Sequence, residues 1–144
     1  MPMVRMLGHA EATVAIEAVR DELARRQDAA VVAVSDAHGE LIALLRMDGA
    51  PVSAVTVAIN KAYTAARMRR PSRAIGEAIR DPGRGVSASF YGDDRYVGWA
   101  GGLPVQIDGA VAGAIGVSGM SQDLDEAIAG IGVAAILRRP GHRQ

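Results

Sequence analysis

The stretch Leu103-Pro104-Val105-Gln106-Ile107-Asp108-Gly109-Ala110-Val111-Ala112-Gly113-Ala114-Ile115-Gly116-Val117 decides the fold. Asp108-Gly109 between two apolar runs is the strongest short-range hairpin signal, because the favoured two-residue turn needs positive φ at both central positions. Hairpins join antiparallel neighbours, so this part of the chain belongs to an antiparallel sheet and not to a βαβ unit. Just downstream, Ser118-Gly119-Met120-Ser121 opens a last helix. Asp123, Asp125 and Glu126 stand in its first turn and Arg138 and Arg139 at its end, matching the macrodipole at both ends.

Upstream lies a segment of different texture. Gly83 to Gly102 contains six glycines together with Phe90, Tyr91, Tyr96 and Trp99, four of the five aromatic residues of the chain. A long Gly and aromatic segment of this kind is expected to be a functional loop or an oligomer contact. Before it, Ser72 is placed to cap a short helix running to about Ile79, stopped by Asp81-Pro82-Gly83.

A second hairpin is read nearer the N-terminus, from Ala29-Ala30-Val31-Val32-Ala33-Val34 through the turn Ser35-Asp36-Ala37-His38-Gly39-Glu40 to Leu41-Ile42-Ala43-Leu44-Leu45-Arg46-Met47. Both strands are apolar at nearly every position. Both sheet faces are therefore expected to be covered, one by helices and the other by more helix or by a partner subunit. Preceding this hairpin, Ala12, Ala15, Ile16, Val19 and Leu23 recur at helical spacing from Glu11 to Arg26, with Asp21/Arg25 and Glu22/Arg26 pairs four apart on the solvated side.

Asp48-Gly49-Ala50-Pro51 turns into a helix running to about Arg69, with Pro51 at its first position and Pro71 as its stop. From Pro51 to Ala66 its only charged side chain is Lys61. At about 100° per residue, Val52, Val55, Ile59, Ala62, Tyr63 and Ala66 line one side while Val57, Lys61, Thr64 and Met68 line another. A helix apolar on two sides is buried on two sides. The element order is thus α-β-β-α-α-β-β-α, an α+β domain with an antiparallel sheet.

Composition bounds the function. The 144 residues carry 16 Lys plus Arg and 16 Asp plus Glu, so no basic surface for nucleic acid is expected. Cysteine is absent, which removes disulfides, thiolate metal sites and a Cys nucleophile. No segment reaches the roughly 20 apolar residues of a membrane helix, and the N-terminus has no signal-peptide pattern, so a cytoplasmic protein without membrane contact is expected. The chain reads as one domain over 1–144, with a core of about 10–137 and a tail over 138–144.

The segments Val34–Gly39, Arg46–Ala50, Asn60–Ala66, Gly101–Val105 and Val111–Gly119 resemble, in the same order, the GlcG/HbpS family. That family is also called the haem-degrading domain family and includes the C-terminal domain of PduO. The resemblance spans residues 10–137 and implies a profilin-like α+β fold, an antiparallel sheet with packed helices. It also implies homo-oligomers in which small residues bring subunits together, and haem as a cofactor of some members.

Lys61, inside the Lys-Ala-x-Thr-Ala motif of this resemblance, is the foremost candidate for chemistry. An ammonium within an apolar helix must reach water, pair with an anion or carry a lowered pKa. It could bind a carboxylate or haem propionate, or serve as a base or Schiff-base amine; the structural alternative is a pair with an acid such as Asp36 or Asp48. Arg46, Asp48 and Thr64 could join Lys61 in an anion pocket completed by Gly102 and Pro104, and Ser118 could add donors at a helix start. Gly113, Gly116 and Gly119 lack the dinucleotide spacing and context, so nucleotide binding is not expected. His9, His38 and His142 show no metal-ligand spacing; His9 and His38 are candidate axial ligands for haem, as are Tyr91 and Tyr96.

Two functions follow from these expectations. The first is binding of haem or another small anionic ligand in a pocket of a homo-oligomer. The second is a cofactor-free catabolic isomerase, lyase or hydrolase acting on a small carboxylate, with catalytic Lys61 or Asp48 and Arg46 as carboxylate clamp. A purely assembling module is a third.

Overall fold

The two expected hairpins share one sheet. The computed structural model describes residues 5–139. Helix α1 (His9–Arg26) starts at Gly8, whose N–H donates to Glu11 Oε1 at 2.7 Å. Strands β1 (Val31–Asp36) and β2 (Leu41–Arg46) form the first hairpin. Its turn is held by Asp36 Oδ1, which accepts from the N–H groups of His38 and Glu40. Helix α2 (Ala54–Met68) and helix α3 (Ser72–Arg80) follow, then a 3₁₀ turn (Ala88–Tyr91). Strands β3 (Gly102–Ile107) and β4 (Ala110–Ser118) meet at Asp108 and Gly109, both with positive φ (54° and 79°) as the Asp-Gly turn requires. Helix α4 (Gln122–Leu137) closes the order.

The four strands lie in the order β2-β1-β4-β3, every neighbouring pair antiparallel. Alternation sorts their side chains. Val32, Val34, Val105, Ile107, Ile115 and Val117 face α1 and α4, the larger core. Val31, Ala33 and Ala114 face α2, which offers Ala54, Ala58, Ala62, Ala65 and Ala66 in return. Of the two expected covers for the second face, helix is the one found.

The abundance of small residues acquires its reason on this second face. An added Cβ at Gly116 would stand 2.2 Å from the Ala58 carbonyl oxygen, and one at Gly102 2.2 Å from that of Lys61. Helix α2 therefore rests on strand backbone, and any larger side chain there would push it away.

Three local expectations are corrected. Ser72 does not cap α3; it is the first helical residue, and its hydroxyl donates to the Trp99 carbonyl (2.7 Å) and accepts from Gly102 N–H (2.9 Å), tying α3 to the start of β3. Asp21 pairs with Arg20 instead of Arg25, because both Arg25 and Arg26 close on Glu22. Helix α2 begins at Ala54, leaving Val52 outside it and exposed. Beyond α4, Arg139 donates to Glu11 Oε2 at 3.0 Å, so the expected tail is anchored at its first residues. His142 and the rest of 140–144 lie outside the described residues.

Candidate functional site

Lys61 is buried at 2% exposure and its partner is Asp125, not Asp36 or Asp48. Nζ donates to Asp125 Oδ2 at 3.0 Å and to the Val117 carbonyl at 2.9 Å. The other carboxylate oxygen of Asp125 accepts from Met120 N–H at 3.1 Å. The pair joins α2 to the first turn of α4 across the end of β4. Burial pushes the Lys61 ammonium below its ordinary value and the Asp125 carboxyl above its own, while each draws the other back toward the charged form.

The pair forms one wall of a cavity of about 320 Å³, which also takes Ala54 and Val57 from α2, Trp99 from the preceding loop, and Ser118, Gly119, Met120 and Gln122 from the entry to α4. Ser121 caps α4, its Oγ accepting from Leu124 N–H, and Gln122 Oε1 accepts from Ala100 N–H.

Of the residues expected around Lys61, Ser118 lines this cavity and the others do not. Arg46 and Asp48 are exposed. Register places Arg46 opposite Val31 and Val31 opposite Ser118, so Arg46 stands two strands away from Ser118, about 10 Å across the sheet. Thr64 is engaged elsewhere, donating to the Asn60 carbonyl and accepting from Val97 N–H. Gly102 is pressed under the Lys61 backbone, and Pro104 lies half-buried in β3.

A second cavity, of about 430 Å³, opens at the first hairpin turn. His38, Arg69, Met6, Ala66, Gln106 and Val111 line it, and a smaller recess beside it adds Arg67 to His38 and Arg69. His38 is exposed, and its imidazole makes no hydrogen bond to the described residues. His9, the first residue of α1, is exposed and outside this lining. Tyr96 and Tyr91 pack edge-on and Arg67 donates to Tyr96 Oη, which gathers these two tyrosines beside Tyr63 at the end of α2.

Residues 7–134 match the family described as haem degrading protein HbpS-like. The chain belongs to the HbpS-like family. Protein GlcG of Escherichia coli K12 is 34% identical over 113 residues, covering 78% of this chain and 81% of that protein. The crystal structure of Klebsiella pneumoniae protein ORFY superposes with a TM-score of 0.89 at 28% identity, covering 96% of both chains. A PduOC–haem complex superposes with a TM-score of 0.81 at 26% identity, covering 96% of this chain and 99% of that one. The α+β fold expected from the resemblance is the one these HbpS-like relatives share.

Sequence reasoning missed Asp125, Trp99 and Gln122 in the first cavity, Arg69 in the second and Arg67 in the recess beside it. Asp125 carried a signal that pointed elsewhere: a carboxylate in a first helical turn reads as a dipole partner. Arg67 and Arg69 stand at the C-terminal end of α2, where a cation suits the helix dipole. Among the described residues no three His, Asp or Glu side chains converge where they could hold a metal ion, and no helix is long and apolar enough to cross a membrane.

Proposed function

We propose that this protein binds haem in the cavity at the first hairpin turn, with His38 as iron ligand and Arg69 and Arg67 as partners for the propionates. The observation that carries this reading is the meeting of the His38 imidazole, without a hydrogen bond to the described residues, with the Arg69 guanidinium around a cavity of about 430 Å³ that also offers Met6, Ala66 and Val111, with Arg67 in the recess beside it. That volume is in the range of small-molecule sites, about 300–1,000 Å³. The donor set fits the group: imidazole is a common haem ligand, and arginine recognises carboxylates through two parallel hydrogen bonds. The chemistry haem supplies when bound is that of its iron, tuned by the axial ligand and the surrounding polarity. No His or Tyr lines the cavity beside Lys61, which favours the His38 cavity for haem.

The name of the family and the PduOC–haem complex support the same ligand. We further take the protein to act as a homo-oligomer in which a second copy covers the open side of the haem.

Haemin titration followed at the Soret band tests the site. A saturable shift at stoichiometric ratio is expected for the wild type and for His9→Ala, and its loss is expected for His38→Ala. A shift lost in His9→Ala and kept in His38→Ala would move the ligand to α1; a response that never saturates would remove haem altogether. Light scattering with and without haemin gives the subunit number, and a monomer in both conditions would overturn the assembly.

A further inference from the structure

The cavity beside Lys61 holds donors that the fold leaves unused. An ammonium has three N–H donors, and Lys61 gives two, to Val117 and Asp125; the third has no partner among the described residues. Ser118 is 93% buried, taking its 7% exposure from the whole, and its hydroxyl has no hydrogen-bond partner among the described residues. Buried hydroxyls are normally satisfied, so an unpartnered one on a cavity wall marks a place for a ligand atom. Gln122 commits its carbonyl oxygen to Ala100, which turns its amide N–H groups into a third free donor.

We propose that this cavity is a second ligand site, separate from the haem cavity, and that it takes a small monocarboxylate. The free N–H groups of Lys61 and Gln122, with the Ser118 O–H able to donate beside them, ask for an acceptor with several lone pairs, which a carboxylate has. The negative charge of Asp125 beside the site disfavours a dianion such as sulfate more strongly than a monoanion. Ala54, Val57 and Met120 supply apolar cover for a short alkyl chain. The site rests on these contacts and owes nothing to the haem reading.

Trp99 lines the cavity and is the chain's single tryptophan, so its emission reports occupancy. Haem-free protein is titrated with propionate, with propionamide as the neutral isostere and sulfate as the dianion. A saturable change is expected with propionate alone. Ser118→Ala removes one donor without disturbing the Lys61–Asp125 pair and should weaken binding roughly ten- to hundredfold, the range for a hydrogen bond to a charged group. Val57→Phe fills the space and should abolish it. Haemin binding should be unchanged in both variants. No saturable response to propionate, an equal response to sulfate or propionamide, or full affinity in Ser118→Ala or Val57→Phe would each overturn the site.

Discussion

Lys61 and Tyr63 stand two residues apart on α2, both nearly buried, and each binds a carboxylate from a distant part of the chain. At about 100° per residue they point to opposite sides of the helix. Lys61 looks into the sheet, where Asp125 is as buried as itself. Tyr63 looks toward the 88–97 loop, where Asp93 is half-exposed and the guanidinium groups of Arg95 and Arg67 stand 3.7 and 5.0 Å from the tyrosine ring. The outcomes are opposite. Burial drives Lys61 and Asp125 toward their neutral forms. The Tyr63 hydroxyl and the Arg95 N–H instead hold Asp93 below the usual carboxylate range, and Asp93 in turn raises Tyr63. Access of water, more than the partner's identity, decides what a buried polar contact does to its members.

Breaking the buried pair should show the largest effect. Asp125→Ala leaves an ammonium uncompensated and should cost about 3–5 kcal/mol in urea unfolding. Lys61→Met combined with Asp125→Leu should recover most of that loss. A single-variant cost under about 1 kcal/mol would mean that water reaches Lys61 and would erase the contrast.

Tyr63→Phe should cost less, about 1 kcal/mol, because the carboxylate it abandons is half-exposed. The expected signature is faster amide exchange across 88–97 with the sheet unchanged; equal acceleration in β4 would show that the two contacts act as one. The smallest effect is on pH dependence. Tyr63 is raised above its ordinary value of 10, so its contribution is complete below pH 10 and is lost as the pH climbs through the raised value. Asp93 is lowered from 3.8, so its share is present above that pH and is lost as the pH falls through the lowered value. A tyrosinate absorbance step above pH 10 that moves down in Asp93→Asn would confirm the coupling, and a step unmoved by that substitution would refute it.

The elements were legible because each rests on local physics: Asp108-Gly109 can turn only one way, and the spacing of Ala12, Ala15, Val19 and Leu23 can bury only one helical side. The Lys61 helix was legible as buried on two sides for the same reason. Its partner was not, because Asp125 lies 64 residues on and only the sheet order brings it close. Arg46 and Asp48 were drawn toward Lys61 by sequence proximity, yet Arg46 ends an edge strand whose register sets it two strands from Ser118, and Asp48 lies exposed in the turn beyond. Ser118 was read from its place at a helix start, and the structure makes it a buried residue on a cavity wall. Arg69 and His38 could not be joined before the first hairpin turn and the end of α2 were seen to share a cavity.

The contact of α2 with Gly102 and Gly116 separates two kinds of tolerance. On the α1 and α4 side, the core is filled by interlocking branched side chains, which can be exchanged for others of similar volume with modest loss. On the α2 side the spacing is fixed by main-chain atoms, so no rotamer can absorb a change. Divergence can therefore rewrite one half of the protein while the height of the Lys61 ammonium above the sheet stays constant.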